Sequence, residues 1–298
     1  MSSNRPAADV VVDVAMVRRL LESQHPDLVH LPIVELANGW DNVMFRLGDE
    51  LLVRVPRREM AGRLVANEVA ALPVLAPHLP LPVPTPVRVG QPDDEYPYVW
   101  AVLPWLEGRP VGTDAPSDAE GAAQQLGEFL QALHVGAPVD APVNPYRGHF
   151  IGENDDRLRE RLDGGAQTIE TFTDFTVATL LSRWVELIDV APRPGPPVWL
   201  HGDLHPLNVL TDGISISAVI DWGDVTSGDP AVDLAVAWGL FEPAERSMIR
   251  TLTGADDATW QRAEAWALYF AAMYLLSSDD DPALRAVSLR LFDRLTAD

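Results

Sequence analysis

The chain has 298 residues, is 47% hydrophobic and contains no cysteine, so disulfides and thiolate chemistry are excluded. Its 44 acidic and 22 basic residues give a formal net charge of −22. This balance argues against a nucleic-acid partner, because phosphate contacts need a basic surface.

The sequence also predicts where the protein works. No stretch approaches the roughly 18 consecutive apolar residues of a membrane span, so we expect no membrane partner. Asp9 and Asp13 interrupt the apolar core that an N-terminal signal peptide needs, which favours a cytoplasmic protein. The acidic excess has two interpretations that both remain open: a solvated, self-repelling surface, or an acidic cleft that attracts a polycationic substrate.

The N-terminal third predicts a small antiparallel sheet with two helices. Apolar residues at helical spacing predict a helix over 13–23 that Asp13 caps. A second helix is predicted over 59–76, where Pro73 should kink or restart it. Trp100 and Trp105 are expected to lie in the core. Short strands are predicted over 33–36, 43–47, 51–55, 87–89 and 98–103.

The remainder predicts a mainly helical region. Ser117 and Glu120 form a capping box for a helix that ends near His134, a residue expected to be structural. A long loop over 136–152 and an acidic, arginine-mixed stretch over 153–163 follow. Further helices are predicted over 169–190, 234–241, 244–253, 258–277 and 283–295.

The chemistry concentrates in residues 198–224. A short apolar run ends at His201-Gly202-Asp203, and five residues later Asn208 opens another. Asp212-Gly213 is a hairpin signal, after which a strand over 215–220 leads to Asp221. Because a hairpin returns both strand ends to one edge, Asp203, Asn208 and Asp221 should come together. The alternative is a turn with a strand-end cap and no chemistry.

These residue types suit phosphoryl transfer, because an enzyme catalyses this reaction mainly by positioning the reacting groups and neutralising charge. Asp203 would accept the proton of an attacking hydroxyl. Asn208 and Asp221 would offer oxygen ligands, which Mg²⁺ prefers.

The motif H-G-D-x-x-x-x-N, followed by I-D-W, Gly228-Asp229-Pro230 and Asp233-Leu234-Ala235, resembles the aminoglycoside phosphotransferase family, a small-molecule branch of the protein-kinase fold. The resemblance runs in order along most of the chain, although its sharpest motifs lie between 201 and 235. It implies an α+β, two-lobed protein-kinase-like fold. Residues 1–106 would form a small N-lobe, with an antiparallel sheet and a helix, that ends in a hinge. Residues 107–298 would form a larger, mainly helical C-lobe.

The resemblance also implies roles for single residues in the catalytic region. Asp203 would be the catalytic base, and Asn208 and Asp221 would bind magnesium. His201 and Asp233 would brace the catalytic loop.

The nucleotide site departs from the family pattern, because all 22 basic residues are arginine and none is lysine. Arg54 stands where related enzymes place a lysine against the α- and β-phosphates, with Glu68 as its expected ion-pair partner and Glu59 as the fallback. A plain surface charge on the strand is the alternative for Arg54. The other candidates for binding ATP or GTP are two turn residues and two hinge residues, namely Gly39, Asn42, Leu103 and Trp105.

The expected activity is transfer of the γ-phosphoryl group of ATP or GTP to a hydroxyl of a small molecule, most readily an aminoglycoside-type or other cationic antibiotic, which would confer antibiotic resistance. One alternative is a metabolic kinase for an amino alcohol or a sugar. Another is a catalytically silent nucleotide-binding scaffold, which the missing lysine would favour. A cationic acceptor would bind carboxylates placed between two C-lobe helices or near the C-terminus, and the candidates are Glu153, Asp155, Asp156, Glu160 and Asp279–Asp281.

Overall fold

The computed structural model describes residues 8–38 and 41–296. These residues form two compact units, each with its own core. The first unit consists of the described residues up to Pro77 with Pro82–Glu107 and Asp221–Val225, and the second of His78–Leu81, Gly108–Ile220 and the described residues from Thr226 onward.

The first unit is built on a five-stranded antiparallel sheet in the order β1-β2-β3-β5-β4. Its strands are β1 (Ile33–Asn38), β2 (Asn42–Leu47), β3 (Leu51–Pro56), β4 (Arg88–Gly90) and β5 (Trp100–Pro104). β3 is the central strand, with β2 on one side and β5 on the other. Arg54 lies on this central strand and is only 6% exposed.

Two helices complete this unit, α1 (Val14–Gln24) and α2 (Glu59–Leu75). The predicted cap of α1 is confirmed, because the Asp13 carboxylate accepts a hydrogen bond from the Met16 N–H at 2.8 Å. The predicted restart of α2 at Pro73 is wrong. The helix continues to Leu75, and Pro73 lies in its last turn.

The second unit is mainly helical and carries two small antiparallel sheets. One pairs β7 (Val198–Leu200) with β10 (Thr226–Gly228), and the other has the order β6-β8-β9. The latter consists of β6 (Arg109–Pro110), β8 (Val209–Thr211) and β9 (Ile216–Val219). The helices are α3 (Ala119–Leu133), α4 (Asp155–Phe172), α5 (Val177–Ile188), α6 (Ala231–Leu234), α7 (Val236–Leu240), α8 (Pro243–Thr253), α9 (Asp257–Leu275) and α10 (Pro282–Thr296).

The predicted helix over 169–190 is wrong, because this region is divided between α4 and α5. The acidic, arginine-mixed stretch forms most of α4, and its acidic first turn complements the helix dipole. Residues 173–176 separate the two helices, and Thr176 begins α5 through a reciprocal capping box with Thr179.

Two further predictions need correction. The cap of α3 is Asp118 rather than Ser117, since its carboxylate accepts from the Gly121 N–H at 2.9 Å. The helix predicted over 234–241 is divided into α6 and α7. The α+β class is confirmed. No helix in the described part of the chain is long and apolar enough to cross a membrane.

Candidate active site

The loop between β7 and β8 carries the candidate catalytic residues, and one buried carboxylate holds its backbone. Asp233, on α6, accepts hydrogen bonds from the N–H groups of His201 at 2.8 Å and Gly202 at 2.9 Å. Gly202 has φ +87°, a conformation that favours glycine. The backbone before Asp203 is therefore held by two bonds to a charged group, which are stronger than bonds between neutral groups.

His201 is completely buried and ties this loop to the strand that follows. Its Nδ1 accepts from the Asp203 N–H at 3.3 Å, and its Nε2 lies 3.0 Å from the carbonyl of Ile220. Because a carbonyl can only accept, Nε2 carries the proton and Nδ1 does not. His201 therefore joins the β7–β8 loop to the end of β9.

The Asp203 side chain is 25% exposed and meets two cationic or potentially cationic groups. Its Oδ1 lies 3.2 Å from Nη2 of Arg147, and its Oδ2 lies 3.7 Å from Nε2 of His205. The carboxylate is thus partly open to solvent, as a group that takes a proton from an incoming hydroxyl must be. The sequence analysis did not identify Arg147, since nothing in the Pro/Gly-rich loop that carries it marks one arginine as special.

Asn208 is 6% exposed and its amide points in a defined direction. Its Nδ2 donates to the backbone carbonyl of Asp203 at 2.9 Å, which leaves the amide oxygen as the group able to bind a cation. Its own carbonyl accepts from the Ile220 N–H at 2.9 Å. This bond closes the β8–β9 hairpin directly before Asp221.

The first unit holds the other set of charged candidates. Arg54 is bonded between two carboxylates, through Nη1 to Oε2 of Glu68 at 2.8 Å and through Nη2 to Oδ1 of Asp221 at 2.7 Å. The Arg54–Glu68 ion pair predicted from the sequence is therefore present. The fallback partner Glu59 instead pairs with Arg63 on the exposed face of α2.

These three side chains differ sharply in burial. Glu68 is fully buried and Arg54 nearly so, whereas the Asp221 side chain is 53% exposed. Burial raises the pKa of Glu68, although Arg54 and the backbone N–H of Trp222 favour its carboxylate form. Burial acts to lower the pKa of Arg54, but Glu68 and Asp221 together hold that pKa above its usual value. Arg54 therefore remains a fixed cation.

Asn42, at the start of β2, adds a neutral contact to the same arginine. In the amide orientation that pairs acceptor with donor, its oxygen lies 3.2 Å from Nε and from Nη2 of Arg54. All three guanidinium nitrogens thus have partners, which fixes the plane of the group.

The described residues contain no cluster of three or more His, Cys, Asp and Glu side chains that could hold a metal ion by themselves. Asn208 and Asp221 nevertheless supply an amide oxygen and an exposed carboxylate, the donor types that suit Mg²⁺. This cation commonly takes only one or two protein ligands and completes its shell with water and phosphate oxygens. Each of these two residues, taken by itself, therefore offers a donor type that fits a magnesium ion.

Residues 32–266 of the chain match the phosphotransferase enzyme family (APH). The chain belongs to this family. This phosphotransferase is 30% identical over 216 residues to viomycin phosphotransferase from Streptomyces vinaceus, an alignment that covers 66% of the present chain and 70% of that protein.

Solved structures show the same fold at lower identity. The GDP complex of aminoglycoside 2'-phosphotransferase-IIIa has a TM-score of 0.70 at 19% identity, with 96% of this phosphotransferase and 99% of that chain covered. Macrolide 2'-phosphotransferase MphH from Brachybacterium faecium has a TM-score of 0.62 at 22% identity, with 94% and 97% covered. The expected protein-kinase-like fold is confirmed.

The structure also shows where two of the remaining nucleotide-binding candidates lie. Gly39 lies outside the described residues. Leu103 is buried and pairs with Leu52 in the sheet. The backbone N–H of Trp105 donates to the Glu50 carbonyl at 2.7 Å.

The two tryptophans expected in the core also differ. Trp100 is fully buried, as predicted. Trp105 is not a core residue, because it is only half-buried and its ring packs under the guanidinium of Arg46, 3.7 Å from the ring centroid.

The acceptor candidates occupy a different place from the one expected. Glu153 lies in the short helical turn before α4, and the other three candidates of this group lie in the first turns of α4. They were expected between two helices. Asp155 is engaged by Arg159 at 2.9 Å and by the Trp184 indole N–H at 2.9 Å, and its pKa is lowered chiefly by the Arg159 bond. Three other candidates are exposed, namely Glu153, Asp156 and Glu160.

The candidates near the C-terminus are also exposed. Among them, Asp281 accepts a hydrogen bond from the Leu284 N–H at 2.9 Å in the first turn of α10. This contact gives Asp281 a structural task at a helix start.

Removing the Arg54 guanidinium should leave the buried Glu68 without its partner. We expect Arg54→Met to cost about 3–5 kcal/mol in free energy of unfolding, and the double variant Arg54→Met/Glu68→Met to cost less than the single one. Denaturant unfolding with circular dichroism measures both. The control is Arg63→Met, which removes an exposed pair on α2 and should cost at most about 1 kcal/mol. Equal losses in the Arg54 and Arg63 variants would contradict the assigned importance of the buried pair.

Proposed function

We propose that this phosphotransferase transfers the γ-phosphoryl group of ATP or GTP to a hydroxyl of a small molecule, with Asp203 as the base. The observation that carries the proposal is the partly exposed Asp203 carboxylate on a loop whose backbone two charged hydrogen bonds from Asp233 hold. Positioning of this kind is the main demand of phosphoryl transfer.

The proposed step moves one proton and one phosphoryl group. The hydroxyl oxygen of the acceptor forms a bond to the γ-phosphorus while its proton passes to the Asp203 carboxylate. The bond from the γ-phosphorus to the bridging oxygen breaks, and the nucleoside diphosphate leaves with that bonding pair. Asp203 then loses its proton to solvent.

Asn208 and Asp221 are the proposed magnesium ligands, and Arg54 is the proposed phosphate-binding cation. Bound magnesium would neutralise charge on the nucleotide phosphates. The amide oxygen of Asn208 is left for a cation by the bond that its nitrogen makes, and the Asp221 carboxylate is 53% exposed. Similar folds bind both purines, since the solved relatives include a GDP complex and a ternary complex with ATP and streptomycin.

The proposed acceptor is an antibiotic bearing a free hydroxyl. The relatives named above act, by their names, on viomycin, aminoglycosides and macrolides. The net charge of −22 favours the cationic members of this group. A metabolic amino alcohol or sugar is the alternative acceptor. Family membership favours an active enzyme over a silent scaffold.

Replacing the base should separate chemistry from binding. Asp203→Ala is expected to lower kcat by about 10²–10⁴-fold, the contribution of a positioned base, while nucleotide affinity stays near wild type. Nucleotide consumption is measured against a panel of aminoglycosides, macrolides, other antibiotics and small metabolic alcohols. Glu170→Gln, an exposed carboxylate on α4 with no proposed role, is the control. Full turnover by folded Asp203→Ala would rule out the assignment.

The magnesium assignment makes a second prediction. Asp221→Asn should weaken magnesium-dependent nucleotide binding more than Asn208→Ala does, because the first removes a charged oxygen and the second a neutral one. Isothermal titration with and without Mg²⁺ measures the affinities without any turnover. The same metal-independent affinity in the wild type and both variants would contradict the assignment.

A cationic acceptor predicts a salt dependence. The acceptor KM should rise at least several-fold between low and high salt, because the Debye length falls below the roughly 8 Å of physiological ionic strength. Nucleotide affinity should change less. Steady-state kinetics on Glu153→Gln and Glu160→Gln, beside wild type, would locate the carboxylates involved. A neutral acceptor, or a KM indifferent to salt, removes the cationic hypothesis and leaves the kinase assignment standing.

A further inference from the structure

Two glycines hold the loop before α4 against β10. The Asp229 N–H donates to the Gly148 carbonyl at 2.7 Å, and a Cβ on Gly228 would lie 2.1 Å from that same oxygen. Gly148 itself has φ +74°. This close approach requires glycine at both positions. It also gives the Gly228-Asp229-Pro230 motif a concrete task, which is to dock the loop that ends at Gly148.

Hydrogen bonds also hold an earlier part of the same loop. The Ser227 N–H donates to the Pro142 carbonyl at 2.9 Å, and the Asn144 N–H donates to the hydroxyl of Thr226 at 2.8 Å. The Asn144 side chain in turn accepts from the Tyr146 N–H at 2.8 Å. The loop that carries the residue before Gly148 is therefore hydrogen-bonded to β10 at several points. The partner strand of β10 is β7, which leads into the catalytic loop.

That residue is Arg147, whose side chain is 20% exposed. Its Nη2 lies 3.2 Å from Oδ1 of Asp203, and its guanidinium packs over the ring of Phe270 on α9, 5.1 Å from the centroid. Cation–π contact limits where the guanidinium can go. A charged donor supported in this way can restrict rotation of the carboxylate it contacts.

We propose that Arg147 is the positioning residue for the base: it holds Oδ1 of Asp203 so that Oδ2 faces the acceptor hydroxyl. The inference rests on the proposed function of Asp203. A base whose carboxylate turns freely spends little time in the reactive geometry, and a misplacement of about 1 Å can cost about 10²-fold in rate. The docked loop supplies this constraint from outside the catalytic motif.

The experiment compares Arg147→Met, Arg147→Lys and Gly148→Ala with the wild-type chain. We expect Arg147→Met to lower kcat about 10–100-fold, while the acceptor KM and the nucleotide Kd stay within about threefold. Arg147→Lys should recover part of the loss, because a point charge keeps the ion pair without the planar fork. Gly148→Ala should reproduce the Arg147→Met pattern, because it disturbs the docked loop and leaves Arg147 in the chain.

The matched control is Arg285→Met. Arg285 also packs 5.1 Å from a ring centroid, that of Phe172, and its hydrogen bonds go to Ser278, so its loss should leave kcat unchanged. Thermal melts check folding in every variant. A folded Arg147→Met with wild-type kcat, or one that changes the acceptor KM alone, overturns the inference. A wild-type chain that transfers phosphoryl neither to any acceptor in the panel nor to water overturns the proposed function itself.

Discussion

The loop between β7 and β8 depends on one buried anion. The Asp233 side chain is 0% exposed, yet its carboxylate accepts from two backbone N–H groups and lies 3.3 Å from Nε2 of His134. An isolated charge in such a place would cost several kcal/mol, and charged hydrogen bonds compensate for it. The two N–H groups that stabilise this carboxylate belong to His201 and Gly202, so its burial depends on the backbone of those two residues. Burial of the Asp233 carboxylate is stable only while the backbone before Asp203 keeps this conformation.

A second buried pair supports the same region. Asp229 is bound by Arg262 of α9, with its Oδ2 2.6 Å from Nε, and its Oδ1 accepts from the Ala231 N–H at 3.1 Å. One acidic residue thus connects a long helix, the start of α6 and, through its own N–H, the loop that carries Arg147. Between Gly228 and Asp233, contacts that hold the Arg147 loop and contacts that hold the loop before Asp203 fall on the same few residues. A substitution made there for one purpose will affect the other.

Local signals and long-range contacts differed in how well they could be predicted. Alternation and helical spacing identified the antiparallel sheet and the helices, and the hairpin signal at Asp212-Gly213 correctly brought the Asn208 backbone to the end of β9. The boundary between α4 and α5 was missed because Thr176 caps a helix with Thr179, which is weaker than an acidic capping residue as a sequence signal. Arg147 could not be found at all. Its contact with Asp203 spans 56 residues and depends on two glycines meeting across the fold, which no local pattern records.

The arginine at the centre of β3 has a chemical consequence beyond its charge. Many covalent probes of nucleotide sites acylate or sulfonylate the amine of a lysine held against the phosphates, and they need a nucleophile that can lose its proton. Arg54 stays protonated between Glu68 and Asp221, and the chain has no lysine elsewhere. Amine-directed nucleotide reagents therefore find no side-chain target in this protein.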